Sequence, residues 1–348
     1  MRRTLGLLSL VAGLCLVSPA NLAAGEFDGK TIRAQFWGGA DGLAIRKYIV
    51  DPFEKRTGAK VVVEEGNTSA SIAKVRAQKA DPQLDVILLD DIGVLTLARE
   101  GVLDKLELSK LSNAKDVHPS YVIADQHGIG FFNYITTVLY NEKLAPAPTA
   151  WTDLWKTDLK GKVLAPKGED TQSLLLTVMA ARLNGGSLDD LSKAWPKLSE
   201  LKPNIHSFIE NRALAAEALQ SGEALYAVDI PYYFKAYIDR GYPIAMTTSL
   251  KEGFFSITGS AALVKGGKGD RAVANALIDQ ALSPEAQAGM AKELWYGPTN
   301  PKTKVDPAIA KYLVHTPEQY EKAISVDRLK LLDQRADIIK GWNDLKTK

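Results

Sequence analysis

The stretch from Gly128 to Asn141, GIGFFNYITTVLYN, limits what this chain can fold into more than any other. It is dense in aromatic and β-branched residues and reads as one long strand. A full set of alternating strand-like and helix-like segments precedes it, and a second set begins at Lys143. A strand so placed leaves one α/β lobe and enters another. A second bridging strand, Gly253 to Val264, leads the pattern back. Two lobes joined by two crossing strands enclose a cleft, and a hinge at the crossings can close it.

Before the first bridge, strands are read at Thr31–Trp37, Ala59–Glu64 and Asp85–Leu89. Helices are read at Leu43–Arg56, Ser71–Lys79 and Ile92–Glu100. This order argues for right-handed crossovers and a mostly parallel sheet. The apolar run ending at Leu89 suits a strand buried on both faces. Beyond the bridge, strands at Gly161–Pro166, Asn204–Phe208 and Ala224–Val228 alternate with helices. Those helices are read at Trp151–Trp155 (capped by Thr149), Ser173–Leu183, Leu188–Leu201, Arg212–Ser221 and Phe234–Arg240. Two more, Asp270–Leu282 and Pro284–Glu293, return to the first lobe, and a helical tail, Ile309–Trp342, lies on the second. The expected fold is α/β, with residues 25–135 and 256–305 as lobe 1 and 136–255 and 306–348 as lobe 2.

The 348 residues are enough for two domains at about 150 residues each. Residues 1–24 read as a secretory signal peptide. Arg2 and Arg3 start it, Leu5 to Val17 is its apolar centre, and small residues allow a cut after Ala24 or Ala20. The segment is too short to span a membrane. A lipid anchor on Cys15 would want a small residue before it, and Leu14 stands there. Loss of Arg2 and Arg3 leaves 41 basic against 41 acidic residues, so nothing points to nucleic acid. Cys15 is also the only cysteine, so the exported chain would hold no disulfide.

In open α/β sheets, ligands sit at the carboxyl ends of the strands. At Trp37-Gly38-Gly39, glycines let a ligand approach and the next helix offers free N–H groups. A tight turn with Trp37 in the core is the alternative. Asp90 ends a strand without an evident structural task, so a cationic ligand group would suit it, while Asp91 reads as the cap of the next helix. Thr171 and Gln172 either reach the cleft or cap a helix. Asp229 and Tyr232 follow another strand end, Tyr134 and Thr258 lie on the bridges, and Tyr296 lies in a loop. Aromatic faces and carboxylates suit an amine. The glycine-lined helix start and Thr258 suit a carboxylate or phosphonate, so a zwitterion would satisfy both.

Catalytic sets are missing. There is no phosphate-binding loop and no Gly-x-Ser-x-Gly elbow. His118, His127, His206 and His315 lack metal spacing. No catalytic residue, metal or cofactor is assigned, and a secreted hydrolase built on carboxylates and tyrosines is the alternative class.

The segments FWGG (36–39), DPFEKRTG (51–58), LDVILLDD (84–91), SPEAQA (283–288) and YGPTN (296–300), with Arg335 to Asn343, carry a family likeness. Together they resemble the extracytoplasmic solute-binding proteins of ABC importers, in the spermidine/putrescine-binding branch. The resemblance covers nearly all of the chain after the leader. It implies the type II periplasmic-binding-protein fold and a periplasmic monomer. Such a protein closes on a small solute and docks on an inner-membrane permease with its ATPase. Polyamine binders of this branch carry a Trp and an Asp on the return strand, where Ile257 and Gly259 stand here, which argues against spermidine or putrescine itself. The Tyr232-Tyr233 pair resembles ferric-iron-binding relatives, so iron and organic anions stay open as alternatives.

Overall fold

The computed structural model describes residues 25–347, so the leader reading and Cys15 lie outside the described residues. Three parallel strands open the fold: β1 (Thr31–Phe36), β2 (Lys60–Glu65) and β3 (Val86–Asp90), with β1 in the middle. The two-residue strands β4 (Leu103–Asp104) and β5 (Val122–Ile123) follow, then β6 (Gly128–Asn141). Next come β7 (Val163–Pro166), β8 (Ile205–Ile209), β9 (Tyr226–Asp229), β10 (Ile244–Met246), β11 (Phe254–Val264) and β12 (Ala323–Ile324). The strand path is β2-β1-β3-β11-β6-β9-β7-β8.

That path divides at β6. As far as Thr136 this strand pairs antiparallel with β11, and from Thr137 onward it pairs antiparallel with β9. One strand therefore belongs to two sheets, and the chain is a two-lobed α/β protein hinged on β6 and β11. Only Tyr134 and Tyr140 of β6 are not fully buried. A strand covered on both faces needs apolar residues at nearly every position, which is what its sequence supplies. Strand β11 shifts register between Gly259 and Ser260. A Cβ on Gly259 would meet the Phe132 ring at 2.1 Å, so only glycine lets the two crossing strands approach there.

The helices differ from the sequence reading mainly at their starts. The expected helix Leu43–Arg56 is α1 (Gly39–Ile45) and α2 (Asp51–Thr57), joined by a π turn, Arg46–Val50. Pro52 has no N–H to give back to the preceding turn, and the wider turn absorbs that loss. Helix α3 (Thr68–Ala77) starts earlier than expected because Asn67 caps it, its side chain accepting from the Ala70 N–H at 2.9 Å. Helix α4 covers Asp91–Arg99, α5 Thr171–Leu183 and α6 Ala194–Leu201. Helix α7 (Arg212–Ser221) keeps the bounds read from sequence, between the Asn211 cap and left-handed Gly222.

Thr149 is not the cap of the turn at Trp151. The Asp153 carboxylate reaches back instead, accepting from the Thr149 and Ala150 N–H groups at 2.8 and 3.1 Å. The expected helix Phe234–Arg240 shrinks to Lys235–Ile238 after a 3-10 turn.

The tail does more than cover one surface. Tyr312 stacks on Trp295 at 4.2 Å, and the Tyr320 hydroxyl donates to the Pro298 carbonyl at 2.9 Å. Strand β12 then pairs parallel with the start of β11, which makes a third crossing between the lobes. The last helix, Arg335–Thr347, packs on α5 and α6, anchored by fully buried Trp342, whose indole N–H donates to Thr177 Oγ1 at 2.9 Å.

Candidate functional site

Strand ends from both lobes meet at the crossing. After β1, Trp37 is half-buried with its ring 5.7 Å from Phe132. Gly38 caps α1, and a Cβ there would meet the Glu65 carboxylate at 2.6 Å. Gly39 is exposed at φ 65°, a left-handed conformation that favours glycine. The turn they form delivers Asp41, whose carboxylate accepts a hydrogen bond from the Tyr296 hydroxyl. Burial raises the Asp41 pKa, while that hydroxyl works the other way.

Asp90 stands at the end of β3 and is partly accessible. Its Oδ2 accepts from Thr68 Oγ1 at 2.9 Å and its Oδ1 from the Tyr134 hydroxyl at 3.1 Å. No cationic side chain of the described residues lies within ion-pair distance of it. Burial, and then the neighbouring charge of Asp91, push its pKa up to about 6, against the two hydroxyl donors. A carboxylate held only by neutral donors in a low-dielectric site is primed for a positive partner.

Aromatic rings run through the crossing. Phe132 stacks on Tyr296 at 4.2 Å, and Tyr296 lies 5.8 Å from Tyr134 and 5.2 Å from Tyr232. Tyr233 follows at 5.3 Å from Tyr232, and the Arg212 guanidinium lies over the Tyr233 ring at 3.9 Å. An unbroken run of rings therefore links the aspartates of one lobe with an arginine of the other.

The second lobe treats its own strand-end carboxylate differently. Asp229, at the end of β9, is buried. Its oxygens accept from Arg212 Nε at 3.1 Å, Gln172 Nε2 at 3.0 Å and the Ile230 N–H at 2.8 Å. Burial raises its pKa despite the Arg212 charge. Asp229 and Gln172 thus serve Arg212 rather than open space. Arg212 also meets Asp170 at 3.4 Å, while its Nη1 has no protein partner among the described residues.

A chamber of about 130 Å³ opens on the far side of Asp90 and Tyr134. Thr171, exposed in the first turn of α5, is on its wall, as are Arg328 and Arg335 of the tail. Asp91 faces Arg328, with Nε 3.7 Å from Oδ2 and the two side chains 14% and 10% exposed. This corrects the expectation that Asp91 caps α4: Asp90 holds the cap position, and the Asp91 side chain accepts from the N–H of Ile92 at 2.8 Å and from the Thr258 backbone. Burial raises the Asp91 pKa and Arg328 opposes the shift. Thr258 is buried within β11, its methyl group over Gly130.

The structure therefore gathers Trp37, Gly38, Gly39, Asp90, Tyr134, Tyr232 and Tyr296 around one crossing, adds Thr171 at the chamber, and turns Gln172, Asp229 and Thr258 inward. Asp41, Phe132, Arg212, Arg328 and Arg335 were missed. The structure gives the arginines one feature in common, legible beforehand only at Arg212. Each occupies the first position of a helix, where the macrodipole disfavours a cation and a nearby carboxylate or carbonyl has to compensate.

The chain resembles characterised proteins along most of its length. It is 24% identical to the gamma-aminobutyric acid-binding protein of Pseudomonas aeruginosa over 343 residues, which covers 95% of each chain. It is 25% identical to the spermidine/putrescine-binding periplasmic protein of Escherichia coli over 171 residues, 48% of that protein. Among solved structures, an ABC transporter protein from Clostridium perfringens matches with a TM-score of 0.79 at 23% identity, over 90% of this chain and 99% of that one. A spermidine/putrescine transporter substrate-binding protein from Streptococcus pneumoniae matches with a TM-score of 0.72 at 18% identity, over 91% and 99%. Among the described residues, no helix is long and apolar enough to cross a membrane. The sequence profile of bacterial extracellular solute-binding proteins matches residues 48–316, from the π turn through both crossings into the tail, and the chain belongs to that family.

Proposed function

We propose that the cleft binds a small zwitterion whose ammonium and carboxylate are separated by a short chain, an ω-amino acid. One observation carries this reading: Asp41 and Asp90 stand at one end of the ring ladder and the free Nη1 edge of Arg212 at the other. An ammonium among Asp41, Asp90 and the faces of Tyr134 and Tyr232 gains charge-assisted hydrogen bonds and cation–π contact. A carboxylate on Arg212 meets a fork of donors that Asp229 and Asp170 already hold in place. The gamma-aminobutyric acid-binding relative supports the same ligand class.

On this reading the chain is a transport receptor and not an enzyme. It is exported by cleavage of residues 1–24, works as a periplasmic monomer, and delivers its solute to an inner-membrane permease driven by an ATPase. The lobes divide at 135/136 and 255/256 and, in the tail, at β12 rather than at 305/306, and closure over the ring ladder brings the two charged ends to the ligand.

Titration calorimetry against glycine, β-alanine, 4-aminobutyrate, 5-aminopentanoate and 1,4-diaminobutane tests the proposal. The expected result is tightest binding for an ω-amino acid with three or four carbons between its charged groups. Tighter binding of the diamine than of every amino acid would remove Arg212 from the ligand site and overturn the reading.

A further inference from the structure

We propose that Arg328 makes the inner chamber selective against ligands that carry a second ammonium group. The inference rests on the ω-amino acid reading and assigns a specificity role to a residue that reading does not use. Asp90 and Asp91 are adjacent, and both line the chamber. Two neighbouring carboxylates would normally make such a space attractive to a diamine. Here only Asp90 is without a cation. Asp91 is matched by the Arg328 guanidinium at 3.7 Å, in a pair largely removed from water.

The rest of the chamber offers a second ammonium little: one neutral hydroxyl, Thr171, and a second guanidinium, Arg335. Ile92, Leu174, Ile257 and Leu331 form apolar walls. Arg328 is also fixed by donating to the Ser256 carbonyl, so it cannot easily swing away. A diamine that reached past Asp90 would place its far ammonium against a fixed guanidinium and hydrocarbon, with no carboxylate free to pair with it. A ligand with one ammonium stops at Asp90 and never meets this barrier. Rejection by a placed like charge discriminates more sharply than a merely missing contact. The arginine comes from the tail after its third crossing, so a short local segment can reset the specificity of a cleft built elsewhere in the chain.

The test uses 4-aminobutyrate and 1,4-diaminobutane with the wild-type protein, Arg328→Gln, Asp91→Asn and the double variant, by titration calorimetry. Folding is checked by circular dichroism. In Arg328→Gln the freed Asp91 should raise the ratio of diamine to 4-aminobutyrate affinity by about tenfold or more. In Asp91→Asn the unpaired guanidinium beside Asp90 should weaken 4-aminobutyrate about tenfold, and removing Arg328 as well should restore most of that loss. A merely structural ion pair would give no such restoration. A folded Arg328→Gln with an unchanged ratio overturns the proposal. So does a double variant no better than Asp91→Asn, and this pair decides the matter where Arg328→Gln does not fold. Should wild type bind no ω-amino acid, the function proposed above fails, while the diamine affinity of Arg328→Gln relative to wild type still judges Arg328: a gain of about tenfold supports the proposal and no gain overturns it.

Discussion

Asp90 and Asp229 occupy equivalent places, each the last residue of an apolar strand in its own lobe. Burial raises the pKa of both. Their surroundings nonetheless differ in kind. Asp90 meets two neutral hydroxyls and stays partly accessible, whereas Asp229 is sealed beneath an arginine and an amide. The same sequence pattern thus yields an acceptor still open to a cation in one lobe, and in the other a brace that aims a cation of the protein itself. What separates them is the partner supplied by another segment: Thr68 from α3 for the first, Arg212 from α7 for the second.

The comparison predicts opposite signs for one chemical change. Asp229→Asn leaves the half-buried Arg212 with Asp170 alone and should lower stability by about 1–3 kcal/mol, the lost pairing outweighing the relief of a buried carboxylate. A urea melt checks this, and a raised midpoint would make the two aspartates equivalent after all.

Asp90→Asn should act the other way on stability and should weaken ligand binding. A carboxylate whose folded pKa is raised to about 6 from 3.8 costs stability in full above pH 6, and that cost fades as pH falls from 6 toward 4. The variant without ligand should therefore gain about 1–2 kcal/mol at pH 8 and almost nothing at pH 4, while 4-aminobutyrate binding falls about tenfold to a hundredfold. Thermal melts at both pH values and calorimetry read the two effects. Equal gains at pH 4 and pH 8 would show that charge is not the cause.

The smallest effect sharpens the comparison. Asp90 and Asp229 share no hydrogen-bond partner, so the stability changes should add in the double variant to within about 0.5 kcal/mol. A larger coupling would mean that the two networks communicate across the crossing.

Much of this architecture was legible in the sequence because it depends on local composition. Gly128–Asn141 was readable to the residue, since a strand buried on both faces cannot hide its aromatic and β-branched content. Helix α7 was equally clear between its Asn211 cap and Gly222. The ring ladder was partly legible, because strand ends and bridges nominate Trp37, Tyr134, Tyr232 and Tyr296 for one crossing. The ion pairs were not. A cap is judged from residues a few positions away, so Asp91 looked like a cap, while its partner Arg328 lies near the other end of the chain. Asp229 looked open for the same reason, its arginine lying on a helix with no sequence mark tying it to that strand.

The third crossing has a practical consequence. Because β12 carries the chain back before its last helix, the two described ends of the protein ride on opposite halves of the molecule. The Lys60 side chain is 71% exposed on β2 of the first sheet, and the Lys340 side chain is 77% exposed on the last helix. A fluorophore pair attached at these positions would touch none of the cleft residues. With Cys15 the sole native thiol, introduced cysteines could be labelled cleanly. The fold thus arrives wired as an optical sensor whose signal reports the relative displacement of its halves.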